Sequence, residues 1–179
     1  SVLLNRILER PRGVPDDYRV LQSIDDRIVS GRKGIGPALD AAFLAESACE
    51  GIRARHKFIA EAIADVVKSV GEGPTLATSL VCGPADEIIE AYRRLPEMEH
   101  LRMSLVGLDS EALFYVMAKC EKAFLEPYVT TVNENVLYLA TGRSKVALPP
   151  QDLVYSNGLL DRHDDATVVT ILNYIHGLL

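Results

Sequence analysis

The sequence has no tryptophan and few aromatic residues of any kind, 6% in all. Its three cysteines, Cys49, Cys82 and Cys120, are widely spaced and form no CxxC pair. An odd, scattered set excludes a disulfide-stapled secreted scaffold and fits a reducing compartment, so the expected location is the cytoplasm. His56, His100, His163 and His176 are equally scattered, and no zinc-ligand spacing can be written from them. Basic charge is scarce as well: Lys+Arg is 19 against Asp+Glu 25, a net charge of −6. An acidic chain without a basic run is poorly suited to grip a phosphate backbone, which argues against nucleic acid as the partner. No apolar stretch approaches the roughly 18–20 residues of a membrane span, and no signal-peptide pattern opens the chain. What remains is a soluble protein.

The 179 residues, 48% apolar and 25% charged, suffice for one domain, or for a domain with an appended helical segment. The chain begins at Ser1 and reaches Leu179 within a helical pattern, so both ends read as cuts in a longer polypeptide. Residues 1–74 read as a helical leader. Leu3, Leu4, Ile7 and Leu8 recur at helical spacing before Pro11 and Gly13. A second helix spans about Asp16 to Ile28, with Asp16 or Asp17 as cap. Gly31, Gly34, Gly36 and Pro37 form a loop. From Ala38 to Val70 the residues Leu44, Ala48, Ile52, Ile59, Ile63, Val66 and Val70 share one helical face, with Gly51 as a dividing point. Gly71, Gly73 and Pro74 close the leader.

Beyond residue 74 the period changes. Strands are expected at Thr75–Val81, Leu101–Leu108, Val129–Asn133 and Asp152–Ser156. Helices are expected at Asp86–Leu95, Asp109–Phe124 and Asp164–Leu179. Thr141–Lys145 fits no element. Strands alternating with helices indicate βαβ units and a parallel sheet, an α/β fold over 75–179.

Three places could carry chemistry. In Leu80-Val81-Cys82-Gly83-Pro84-Ala85 a strand passes to a helix through small residues. Gly83 admits a ligand close to the backbone, and the following helix amides favour an anion; a plain connecting turn fits equally. In Val106-Gly107-Leu108-Asp109 an acid ends the second strand, where a carboxylate can bind both hydroxyls of a ribose. Asp109 also fits the N-cap of the helix opened by Ser110 and Glu111, and the two roles are compatible. The fourth strand ends in Ser156, Asn157 and Gly158, either a ligand contact or an ordinary turn.

These residues resemble a family. Thr78-Ser79-Leu80-Val81-Cys82-Gly83-Pro84-Ala85 is similar to the glycine-rich first motif of class I S-adenosylmethionine-dependent methyltransferases, and Gly107-Leu108-Asp109-Ser110-Glu111-Ala112-Leu113 to their second. Asp152-Leu153-Val154-Tyr155-Ser156-Asn157-Gly158-Leu159-Leu160-Asp161 resembles a fourth-strand motif of one bacterial branch, the group annotated for biosynthesis of 3-hydroxypalmitic acid methyl ester. The leader matches too, in Pro11-Arg12-Gly13, Asp17-Tyr18 and Ile52-Arg53-Ala54-Arg55. The resemblance implies a Rossmann-like sheet binding S-adenosyl-L-methionine and methylating a small, fatty-acid-like or carboxylate acceptor. Cys82, Gly83 and Pro84 would approach the methionine part, and Asp109 with Ser110 the ribose. Asn135 would lie near the adenine, and Ser156, Asn157 and Gly158 would line the sulfonium side. Tyr18 and Arg55 would serve the substrate, the leader closing over the cofactor, although Arg55 fits a solvated helix face as well.

Departures accompany the likeness. Ser79 stands where the first motif opens with an acid, and Val81 where a glycine is usual. A left-handed backbone there costs a β-branched residue roughly 1–2 kcal/mol, and about tenfold weaker cofactor binding follows. Leu160-Asp161-Arg162-His163 replaces the expected Phe-Asp-Tyr-Leu. The last three strands of a seven-stranded sheet are missing, leaving an apolar edge that a partner chain or a second copy would cover. A carboxylate acceptor needs no general base; for a hydroxyl, Asp161 or His163 could take the proton. Asp161, Asp164 and Asp165 also fit the capping and first-turn acids of the last helix, and no metal site is expected from this cluster. The alternative from another class is a catalytically degenerate, methyltransferase-like binding or scaffolding protein. A nicotinamide-dependent oxidoreductase ranks last for want of a full G-x-G-x-x-G.

Overall fold

The leader's apolar pattern resolves into α1 (Val2–Glu9), α2 (Tyr18–Asp25), α3 (Gly36–Leu44) and a long α4 (Ser47–Val70) in the computed structural model. Residues 1–31, 33–71 and 73–179 are described. They divide into two units, Ser1–Ala60 and Glu61–Leu179, so the division falls inside α4.

In the first unit Asp17 is the N-cap of α2, accepting from the amides of Arg19 and Val20. Arg6 forks onto the same carboxylate, with Nε at 3.0 Å and Nη2 at 2.7 Å. Leu3, Val20, Ile24, Leu44 and Cys49 form a small core. Asp40 is fully buried and accepts from the Ser1 hydroxyl and from the amides of Ser30 and Gly31. Burial alone would raise its pKa, but these donors together hold the carboxyl below its ordinary value. Arg53 donates to the carbonyls of Ile24 and Leu44 at 2.7 and 2.9 Å, satisfying acceptors at the ends of α2 and α3.

Two expectations are corrected here. Gly36 and Pro37 open α3 rather than belonging to a loop, since proline's fixed φ and missing N–H suit a first helical turn. The helical stretch from Ala38 breaks after Leu44 rather than at Gly51, which lies inside α4 facing open space. The break brings Leu44 and Cys49 into one core. Gly31 is required for space: a Cβ there would stand 2.6 Å from the Gly36 carbonyl carbon.

The second unit alternates β1 (Thr75–Leu80), α5 (Asp86–Arg93), β2 (Leu101–Gly107), α6 (Ser110–Lys122), β3 (Val129–Asn133), α7 (Val136–Ala140), β4 (Leu153–Ser156) and α8 (Asp165–Leu178). All strands pair in parallel, in the order β3-β2-β1-β4. Period-two alternation sends Leu80 and Val106 to one face, where they meet Val136 and Leu139 of α7 and Ile171 of α8. Helices on both faces explain why β1 is buried almost throughout instead of alternating with polar residues. The entry of β4 is clamped to β1: the Leu76 amide donates to Asp152 Oδ2 and the Asp152 amide to the Leu76 carbonyl, both at 2.8 Å. Thr78 Oγ1 donates to Gln151 Oε1 at 2.8 Å within the core. Among the described residues β4 is an edge of the sheet.

Helix α7 was not expected. Its five residues are too few to show a period, and Asn135 starts it by accepting from the Leu137 amide.

Candidate functional site

The strand order reverses beside β1. Chain connections run from β1 through β2 to β3 and then return to β4 on the other side of β1. Parallel sheets open a crevice beyond the carboxyl ends of their strands at such a reversal. The segments facing it are Val81–Ala85 after β1, Leu108–Ser110 after β2, Glu134–Asn135 after β3 and Asn157–Gly158 after β4.

These exits are tied together. The amides of Val81 and Cys82 both donate to the Val106 carbonyl, at 2.9 and 3.1 Å, joining the first turn to the end of β2. A Cβ on Gly107 would lie 3.8 Å from Cys82 Sγ, so the two exits are in side-chain contact range. Ser156 Oγ donates to the Leu80 carbonyl at 3.1 Å, joining β4 to the same point. The Glu134 amide donates to the Gly107 carbonyl at 3.2 Å. Four exits thus share one hydrogen-bonded rim.

The first turn is held in an unfavourable conformation. Val81 has φ 63° and Ala85 φ 55°, both left-handed, on either side of Cys82-Gly83-Pro84. For a β-branched residue this is an outlier, and such strain persists only where surrounding contacts over-determine it. The Val81 side chain packs against the Leu80, Val106 and Leu159 cluster, and its amide is bonded to β2. From α6, Lys119 Nζ donates to the Pro84 carbonyl at 3.1 Å and pairs with Asp86.

Asp109 caps α6, its Oδ1 accepting from the amides of Glu111 and Ala112 at 3.0 and 3.2 Å. Ser110 is exposed beside it. Asn135 is half-buried at the start of α7, where its amide donates to Glu134 Oε1 at 2.7 Å. The Ser144 hydroxyl and this amide hold the Glu134 carboxyl below its ordinary pKa. Cys82 is buried, and burial, followed by the nearby Glu87 carboxylate, pushes its thiol up to about 12. Asn157 Oδ1 is buried with no hydrogen-bond partner among the described residues, and Gly158 follows at φ 88°. Asp161 is exposed in a short 3₁₀ turn, Leu160–Arg162, with half-buried His163 after it. Asp164 is the N-cap of α8, accepting from the Thr167 amide, and Asp165 lies in the first turn. Tyr18 and Arg55 belong to the first unit. Tyr18 is buried beneath the guanidiniums of Arg12 and Arg19, and Arg55 is exposed on α4. Among the described residues no three His, Cys, Asp or Glu side chains converge as a metal site would require.

No family model and no curated protein sequence matches the chain. Solved structures do. A possible exported protein of Bordetella parapertussis superposes with a TM-score of 0.72 at 19% identity, over 99% of this chain and 57% of that one. A protein of Methanococcus maripaludis assigned to the S-adenosyl-L-methionine-dependent methyltransferases gives 0.54 at 15% identity, covering 91% and 59%. The N-methyltransferase NodS of Bradyrhizobium japonicum, solved with S-adenosyl-L-homocysteine, gives 0.51 at 14% identity, covering 89% and 67%. What is shared is the fold. It is the Rossmann-like fold of S-adenosylmethionine-dependent methyltransferases. The chain spans 57% of the Bordetella protein's length and 59% of the Methanococcus protein's.

Sequence reasoning missed three residues that shape this rim. Lys119 lies deep in α6 and gave no signal. Tyr155 was read only as part of the fourth-strand motif. Glu87 did have a signal, because it shares the helical face of Ile88, Ala91 and Tyr92, all buried, and an acid on such a face needs a partner. That partner is Tyr155, whose hydroxyl donates to Glu87 Oε1 at 3.0 Å. Burial and the Glu87 carboxylate hold the phenol well above its ordinary pKa, so it remains a donor at neutral pH.

Proposed function

We propose that this chain carries the S-adenosyl-L-methionine-binding part of a methyltransferase, with Val81–Ala85 receiving the amino-acid end of the cofactor and Asp109 its ribose. The observation that carries the reading is the hydrogen-bonded junction of the first turn with Val106 near the end of β2, three residues before Asp109. Two features support the fit. Ala85 offers no side-chain cap to the amides opening α5, leaving that helix end suited to a ligand carboxylate. Asn157 Oδ1, a buried acceptor lacking a donor among the described residues, sits in the segment leaving β4.

S-adenosyl-L-methionine supplies an electrophilic methyl group on a sulfonium. The protein's task is then orientation and exclusion of water, and holding reactants in attack geometry contributes roughly 7–11 kcal/mol. Asp109 would cap α6 and hold the ribose, a carboxylate offering about four acceptor sites. Ser156, Asn157 and Gly158 would line the methyl side, and Asn135 the adenine side. The acceptor we infer is a small carboxylate or hydroxyl compound of fatty-acid type, by likeness to the 3-hydroxypalmitic acid methyl ester group. For a hydroxyl acceptor, His163 or Asp161 would take the proton. Residues 1–74 form the leader of this reading, and the buried free thiols Cys49, Cys82 and Cys120 suit a cytoplasmic setting.

Calorimetry with S-adenosylhomocysteine tests it. Micromolar binding that Asp109→Asn weakens at least tenfold while leaving stability intact supports the reading, because asparagine keeps the cap and loses the charge. No heat at millimolar ligand rejects it. One observation favours a second reading, a scaffold whose cofactor site has decayed: Val81 and Ala85 both hold left-handed positions that glycine would occupy without strain.

A further inference from the structure

We propose that Tyr155 is a positioning residue that, through its hydrogen bond to Glu87, locks the segment leaving β1 to the segment leaving β4, so that the two walls of the crevice move as one. The register pairs Ser79 with Tyr155, which puts their side chains side by side on the α5 face of the sheet. Tyr155 donates to Glu87 at 3.0 Å, and Ser79 lies beside it in the register. Ser79 is 1% exposed and Glu87 4%, among Ile88, Ala91 and Leu105 at 0%. Apolar side chains would fill this space without the cost of desolvating a carboxylate. What the Tyr155–Glu87 bond adds is direction, since a hydrogen bond fixes an angle that packing leaves free. Its position gives that direction a use. Tyr155 stands one residue before Ser156 and two before Asn157. Glu87 stands two residues after the left-handed Ala85. On the other side of the turn, Lys119 already fixes Pro84 and Asp86 from α6.

The role rests on the methyltransferase reading only in giving the crevice a ligand. Hydrogen exchange of the full chain without ligand tests the lock itself. In Tyr155→Phe, residues 81–87 and 156–160 should exchange about tenfold faster or more, as expected when a hydrogen bond to a charged group is lost. Residues 110–122 and 129–133 should be unchanged. Glu87→Ala should reproduce this pattern, and combining it with Tyr155→Phe should add nothing. Glu87→Gln keeps a carbonyl acceptor for Tyr155 and should stay within about twofold of the parent. Uniform acceleration across the sheet would mean a packing role and overturn the proposal, as would acceleration of one wall alone or of neither. Calorimetry with S-adenosylhomocysteine then separates the two claims. A parent that binds nothing defeats the methyltransferase reading, while the exchange pattern still decides the lock.

Discussion

Replacing Val81 should invert the usual order of alanine and glycine. In a buried or half-buried site, valine to alanine costs less than valine to glycine, because glycine loses one more carbon and frees the unfolded chain by about 0.5–1 kcal/mol. At Val81 the backbone has φ 63°, so every L side chain carries a left-handed penalty of about 1–2 kcal/mol that glycine does not. Val81 is half-buried against the Leu80, Val106 and Leu159 cluster, so losing its two methyl groups forfeits about 1 kcal/mol of burial. Val81→Ala therefore keeps most of the strain and loses the packing, for a net loss of about 1 kcal/mol. Val81→Gly loses slightly more packing and sheds the strain, ending within about 1 kcal/mol of the parent and above the alanine variant. For a chain of this size 1 kcal/mol moves Tm by about 2–4 °C, which thermal and urea unfolding resolve. An alanine variant more stable than the glycine variant would refute the argument and show that the turn is not strained.

Other expectations follow from particular contacts. Lys119→Met leaves the Pro84 carbonyl and Asp86 without their cation and should destabilise by about 1–2 kcal/mol in urea titrations. The control Lys68→Met, at an exposed pair with Asp65, should change nothing measurable. Asp40→Asn should destabilise at neutral pH. The parent's advantage is complete above the unfolded carboxyl's pKa of 3.8 and disappears as pH falls through the lower folded value. Unfolding curves of both chains should therefore converge in acid; a constant gap would contradict the assignment.

Much of the second unit was legible because its physics is local. Val129–Asn133 is a β-branched run bounded by turn residues, and Asp109 stands where both a cap and a strand end are expected. The break after Leu44 was not legible, since nothing in Ala45-Glu46 forbids a helix and only the shared core of Leu44 and Cys49 explains the turn. Helix α7 was too short to display a period. The strain at Val81 could be anticipated from a valine at a glycine position. The contacts holding it from Val106 and Leu159 lie about 25 residues or more away in sequence, where loop-closing interactions leave no local trace. The same distance hid the link from Tyr155 to Glu87.

The claim that the exits of β1 and β2 form one binding site can be read directly from backbone amide chemical shifts during titration with S-adenosylhomocysteine. The account predicts that the Gly83 and Ser110 amides move together and saturate with one dissociation constant. Shifts confined to one exit, or none at millimolar ligand, would contradict it.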